Sequence, residues 1–175
     1  MKITERTVIV AMFFVALGAG VKLAAAAAAK SDKPERSGIA VVDFKLVEKV
    51  GVKDAGQIFA KLLLESFDAK KHELVDRTRL QAMLKPHGLT IAKVADNPDL
   101  LKGKKLPGVR YVVVGTVSKP IELTVFAKVI DMTTGEFGRP TTVAAGDVET
   151  MKERLAQLAK TISGGTTSLK SGRPK

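Results

Sequence analysis

The chain has 175 residues, with 29 Lys and Arg against 18 Asp and Glu, a formal net charge of +11 at pH 7, and no cysteine. The lack of cysteine excludes disulfides, a thiol nucleophile, cysteine-ligated zinc and a lipid thioether. The positive charge favours acidic partners: nucleic acid for a cytoplasmic protein, and anionic lipid, polysaccharide or acidic protein surfaces in a cell envelope.

The first 29 residues predict an export signal. Lys2 and Arg6 form a basic start, residues 7–21 are uncharged and mostly apolar, and the alanines at 24–29 offer small-x-small cleavage sites. The apolar stretch is shorter than the roughly 18 to 20 residues that span a bilayer as a helix. A cleaved signal is therefore favoured over a retained N-terminal anchor. Residues 30–37 are polar and predict a flexible lead-in.

A strand–helix–strand unit opens the predicted domain. Residues 38–44 form a nearly continuous apolar run rich in β-branched side chains, which is typical of a strand buried on both faces. Residues 53–69 place apolar side chains at helical spacing. Residues 72–76 predict a brief second strand. Because a helix joins the two strands, we expect them to run parallel.

Two short helices are predicted next. Thr78 with Gln81 three residues later has the pattern of a capping box, and Pro86 should end that helix early. Residues 96–98, with a proline in the first helical position, predict the start of the second.

The second half of the domain predicts three strands. Residues 109–117 are apolar enough for the centre of a sheet, whereas residues 121–131 alternate apolar and polar, except at Phe126 and Ile130. The turn residues 133–135 predict an antiparallel hairpin with a strand over 141–145.

The closing helix is predicted to begin at a capping box formed by Thr150 and Glu153 and to end at Gly164 and Gly165, with residues 164–175 as a disordered tail. The order β-α-β-α-α-β-β-β-α over residues 38–163 predicts one α/β domain, a two-layer or three-layer sandwich with a mixed sheet. We expect one face of the sheet to carry the helices, and the late strands to be antiparallel.

Four segments in this order and spacing resemble one known family. They are AVVDF at 40–44, ELVDRTRLQAML at 73–84, GVRYVVVGTVS at 108–118 and KVIDMTTGEF at 128–137. Together they are similar to the CsgG-like (curli production assembly/transport component) domain family. The resemblance implies a fold related to the TolB N-terminal domain and to LpoB, and a non-enzymatic envelope role in polymer secretion or assembly of surface structures. The chain lacks the lipid-anchoring cysteine of the secretion channel, so the resemblance implies a scaffold domain without the channel.

The sequence offers no pattern for catalysis or for a cofactor. It has no Gly-rich phosphate loop and no G-x-S-x-G motif, and its two histidines, His72 and His87, lack metal-ligand spacing. We therefore predict that the chain is not an enzyme and binds no metal or cofactor. We interpret Asp43 as a polar group at a strand end, Asp76 as an acceptor at a helix start, and His72 as a surface residue.

Arg77 and Arg79 are the candidate site residues. They lie two positions apart at a predicted helix start, where they could bind a carboxylate or phosphate. The favoured alternative is an intramolecular ion pair with Glu73 or Asp76. An open strand of the late hairpin would offer a second binding mode, in which a partner or another copy of the domain adds to the sheet.

Three functions follow as hypotheses. The first is an exported accessory protein, periplasmic or associated with the outer membrane, that acts by protein–protein interaction in secretion or assembly. The second, which the resemblance to LpoB implies, is a periplasmic regulator that binds a cell-wall synthase. The third is a basic nucleic-acid-binding domain. Envelope proteins or self-association are the expected partners, nucleic acid and a small-molecule substrate are not, and membrane contact is expected only through an uncleaved N-terminus.

Overall fold

The computed structural model describes residues 36–48, 50–119 and 121–169. The predicted export signal, nearly all of the lead-in and the last six residues of the chain lie outside the described residues. The elements of the described part are β1 (Ser37–Val41), β2 (Lys45–Leu46), α1 (Ala55–Glu65), β3 (His72–Val75), α2 (Arg77–Leu84), α3 (Ile91–Asp96), β4 (Tyr111–Ser118), β5 (Leu123–Asp131), β6 (Thr141–Ala145) and α4 (Val148–Leu169), with 3₁₀ turns at Lys85–His87 and Pro98–Leu101.

One mixed sheet organises these elements, in the strand order β3-β1-β4-β5-β6. β1 runs parallel to both β3 and β4, while β4, β5 and β6 are antiparallel neighbours. The α/β class, the mixed sheet and both predicted strand directions are confirmed. Because β1, β3 and β4 are parallel, their carboxyl ends lie at the same edge of the sheet, which we call the strand-end edge.

The first predicted strand is divided in two. β1 ends at Val41. β2 then pairs with a later part of β4, on the same side of that strand, with Leu46 opposite Val117. Between them the chain turns toward α1, where the Phe44 N–H donates to the Gly56 carbonyl at 3.1 Å. A Cβ atom at Gly56 would lie 2.0 Å from the Phe44 oxygen, so this approach requires glycine.

Helices cover both faces of the sheet, so the expectation of helices on one face was wrong. One core packs α1 and α4 against a face that includes Ile39 and Val41, and the other packs α2, α3 and the 3₁₀ turns against a face that includes Ala40 and Val42. The reason is the apolar run of β1, because successive strand side chains point to opposite faces and both sets need cover. The architecture is a three-layer sandwich.

The second helical layer does not extend over the whole sheet. On β5, Leu123, Val125 and Ala127 are buried beneath α4, whereas the side chains between them are only half-buried. On this uncovered surface Phe126 lies opposite Thr116 and Thr142, and Thr124 lies opposite Ser118 and Ala144. Its residues come from β4, β5 and β6: Thr116, Ser118, Thr124, Phe126, Lys128, Thr142 and Ala144. We call them the open face.

Two helix starts differ from the prediction. α2 is capped by Asp76, whose carboxylate accepts from the Arg79 N–H at 2.8 Å. This confirms the interpretation of Asp76 as an acceptor at a helix start, whereas the capping box that begins at Thr78 was wrong. α3 precedes the predicted start at residues 96–98, where the chain forms only a 3₁₀ turn after Asn97. In both places an earlier polar side chain, Thr90 for α3, accepts from the first turn.

The closing helix begins earlier and ends later than predicted. Asp147 caps it by accepting from the Thr150 N–H at 2.8 Å, so the proposed capping box is wrong. The helix continues through Gly164 and Gly165 to Leu169. A glycine in a helix interior costs only about 1 kcal/mol, and neither residue has a positive φ, so the pair does not end the helix.

Candidate functional site

A crevice lies at the strand-end edge, between α1 and the start of α2. Its volume is about 350 Å³, and its floor includes Val41 and Leu74 from the ends of β1 and β3. Asp43 and Asp76, which follow these two strands, line it together with Arg77. Sites in α/β folds commonly occupy this position, at the carboxyl ends of parallel strands. The crevice is therefore the candidate site.

Arg77 is bound to Asp43 across the crevice. Its Nε lies 3.1 and 3.0 Å from the two carboxylate oxygens, and its Nη2 lies 3.0 Å from Oδ2. The hydrogen bonds that the Arg77 guanidinium donates to the Asp43 carboxylate raise the pKa of Arg77. The intramolecular pairing of Arg77 was predicted, but with Glu73 or Asp76. Asp43 was not predicted as the partner of Arg77, because the two residues are 34 positions apart in sequence. The parallel pairing of β1 and β3 brings them together.

Arg79 has a separate partner. Its Nη1 donates to the Glu73 carboxylate on β3, which confirms the predicted alternative for this residue. Its guanidinium also lies near Gly108, where a Cβ would be 3.4 Å from Nη2. Arg79 does not line the crevice that Arg77 lines. An anion site formed by both arginines stays a prediction, and a ligand would have to compete with Asp43 and Glu73.

His72 is buried, so its prediction as a surface residue was wrong. It is 7% exposed at the start of β3, its Nε2 lies 3.2 Å from the Ser163 hydroxyl of α4, and the Phe67 ring meets it edge-on at 5.9 Å. Burial lowers the pKa of His72. This histidine joins α4 to the edge of the sheet, and its sequence neighbours gave no sign of that contact.

A second groove, of about 440 Å³, is lined by Thr116, Phe126 and Lys128 of the open face and by Ala95 and Asp96 of α3. The Lys128 Nζ lies 5.9 Å from the centre of the Phe126 ring and 5.6 Å from that of Phe137. Two ion pairs border the groove, Lys45–Asp96 at 2.9 Å and Lys102–Asp99 at 2.6 Å. The signal available in the sequence was Phe126, an aromatic residue that interrupts the polar positions of an alternating strand.

The described part of the chain contains no group of three or more side chains placed to hold a metal ion. No helix among the described residues is both long enough and apolar enough to cross a membrane. The crevice brings together an arginine, carboxylates and a threonine, but no serine, cysteine or histidine lines it. Its groups can bind and position a ligand through charge and hydrogen bonds.

No family model and no curated protein sequence matches this chain. Among solved structures it is similar to the LpoB C-terminal domain from Salmonella enterica, at 17% identity over 64% of this chain and 84% of that one, with a TM-score of 0.48. It is also similar to lipoprotein GNA1162 from Neisseria meningitidis, at 16% identity over 73% and 96%, with a TM-score of 0.44. A PelC dodecamer from Paraburkholderia phytofirmans matches at 16% identity over 72% and 85%, with a TM-score of 0.43.

Identities and scores this low establish neither a family nor a partner. The described domain itself defines the class, a three-layer α/β sandwich with a mixed sheet. Membership of the CsgG-like family stays a prediction that rests on the four sequence segments.

Proposed function

We propose that this chain is an exported, non-enzymatic accessory protein of the cell envelope that acts by binding another protein. Its finer version is a regulator that binds a cell-wall synthase, in the manner predicted for an LpoB-like protein. We place this version first because it needs only an exposed binding surface on a single domain. An accessory role in secretion is the second version, and the two differ in partner.

The contrast between the crevice and the open face carries this proposal. In the crevice, Arg77 is held by Asp43, and Asp76 is engaged as the cap of α2. On the open face, Phe126 and Lys128 are half-buried on the side of β5 that α4 does not cover, and Thr142 on the edge strand β6 is exposed. Aromatic side chains are enriched at protein interfaces, so Phe126 on this surface is suited to protein recognition.

The experiment is site-specific photocrosslinking in intact cells. A photoreactive side chain at position 126 samples the open face, and the same group at Lys160, an exposed residue of α4, is the matched control. We expect position 126 to capture an envelope protein that position 160 does not. A peptidoglycan synthase as the captured protein supports the regulator, and an outer-membrane secretion component supports the second version.

Two results would contradict the proposal. Recovery of the protein from the cytoplasm with residues 1–29 intact would remove the export argument. Identical capture at positions 126 and 160 would show that the open face is not a specific binding surface. Nucleic acid that stays bound to the purified protein would instead favour the hypothesis of a basic nucleic-acid-binding domain.

A further inference from the structure

The two edge strands of the sheet, β3 and β6, differ in how well they are protected from pairing with a strand of another molecule. β3, the edge on one side, has four residues and carries Glu73, which is paired with Arg79. β6, the edge on the other side, reads Thr-Thr-Val-Ala-Ala and contains no charge and no proline. Proteins usually protect an exposed edge with charges, prolines or bulges, because its unpaired N–H and C=O groups can pair with another strand. β6 lacks this protection, and among the described residues no strand pairs with its outer side.

The residues just outside β6 have opposite charges. Arg139 precedes the strand and is exposed, and no ion pair to it occurs in the described part of the chain. Asp147 follows the strand, is also exposed, and its pKa is lowered by the hydrogen bond from the Thr150 N–H, which keeps it ionised. Both charges lie four residues from Val143, the centre of the strand.

We propose that two copies of this chain associate through an antiparallel β6–β6 pair centred on Val143. In this register Arg139 of each copy lies opposite Asp147 of the other, so the twofold axis generates two identical ion pairs. Pro140 lies opposite Gly146 and ends the ladder on each side, because proline has no N–H to donate. A register moved by one or two residues would lose the charge pairing.

The path of α4 leaves room for this contact. The helix begins beside the end of β6 at Asp147 and reaches β3 by Ser163, where the hydroxyl meets His72. It therefore crosses the sheet diagonally and moves away from the β6 edge along its length. Pairing of two β6 strands would join the open faces of two copies into one continuous surface. This inference does not depend on the proposed function, since it concerns the domain alone.

The strand pair is short, and we therefore expect a weak, salt-sensitive dimer that exchanges with monomer. The first measurement is sedimentation of the purified domain over a concentration series at low and high salt. Arg139→Glu places like charges opposite each other twice and should raise the dimer dissociation constant by about tenfold. The double variant Arg139→Glu with Asp147→Arg should recover much of that loss. Melting of each variant checks that it is folded, because Asp147 also caps α4, and Asp147→Asn keeps the cap while it removes the charge.

The second measurement uses the absence of natural cysteine. Val143→Cys places a single thiol on the twofold axis, and a mild oxidant such as oxidised glutathione should convert two such thiols into one intermolecular disulfide. Thr142→Cys is the matched control, because in this register Thr142 faces Ala144 of the other copy and the two introduced thiols lie on a diagonal, about 7 to 8 Å apart between backbones. We expect rapid crosslinking at 143 and slow crosslinking at 142.

Three outcomes would overturn the inference. The domain could sediment as a monomer at every concentration, with no crosslink at position 143. Equal crosslinking at 142 and 143 would indicate random collision or another register. A dimer unaffected by Arg139→Glu would show that it forms through a different surface.

Discussion

The two halves of the sheet show how differently one fold can use its faces. In the half formed by β3, β1 and the first half of β4, adjacent residues such as Ile39 and Ala40 are both fully buried, because helices lie on both sides. On β5, Val125 is fully buried and its neighbour Phe126 is only half-buried, because α4 covers one side. The first half is arranged for stability, and the second leaves a surface for recognition.

Charge follows the same division. In the covered half Arg77 and Arg79 are engaged by Asp43 and Glu73 within the chain. In the open half Arg139 has no ion pair among the described residues, and Lys128 contacts aromatic rings instead of a carboxylate. Basic groups without a carboxylate partner in the chain are the ones available to an acidic group of another molecule.

The first prediction compares two phenylalanines. Phe59 of α1 is fully buried in the core of the covered half, and Phe59→Ala should lower the free energy of unfolding by about 3 to 5 kcal/mol. Phe126→Ala on the open face should cost clearly less, because the ring is only half-buried. Urea denaturation measures both. Similar losses of unfolding free energy would mean that Phe126 is packed in a core, and that the two halves of the sheet do not differ in this way.

The second prediction concerns the cap at the strand-end edge. Asp76→Ala should lower the free energy of unfolding by about 1 kcal/mol, because the Arg79 N–H loses its acceptor at the start of α2. Thr78→Ala should have little effect, since Thr78 is not the capping residue. Thermal unfolding of the two variants decides between the cap in the structure and the capping box that the sequence predicted.

The third prediction measures the pair in the crevice. A double-mutant cycle with Arg77→Ala and Asp43→Ala should give a coupling free energy of about 0.5 to 1 kcal/mol, because the Arg77 side chain is half-exposed and water screens the pair. Arg77→Lys should lose most of the coupling, since lysine cannot make the two-pronged contact. A coupling free energy near zero would show that Asp43 does not hold Arg77. Arg77 would then be available to a ligand, which would strengthen the anion-site hypothesis.

The sequence predicted the elements of this fold far better than the contacts between them. Hydrophobic period and turn residues were enough for the parallel first strands and the antiparallel hairpin of β5 and β6. They did not predict β2, whose two residues are held only by pairing with Thr116 and Val117 of β4. A two-residue strand has no periodicity of its own, so only the tertiary structure defines it.

The candidate site was predictable only where partners are close in sequence. The ion pair of Arg79 with Glu73 spans six residues, and it was among the expected alternatives. The pair of Arg77 with Asp43 depends on which strands are neighbours. The contact between His72 and Ser163 spans 91 residues and follows from the diagonal path of α4. No local pattern encodes such contacts, because they depend on how the layers pack.

The last prediction tests that diagonal contact by pH. Burial lowers the pKa of His72 below its ordinary value of about 6.5, so the folded protein holds the ring neutral where the unfolded chain binds a proton. Stability should therefore be complete above about pH 6.5 and should fall as the pH drops from there toward the lower folded pKa. In His72→Gln, which cannot titrate but can still hydrogen-bond Ser163, this part of the decline should disappear. An unchanged pH profile in that variant would mean that the acid sensitivity comes from the carboxylates, and that the contact between α4 and β3 holds equally well when His72 is charged.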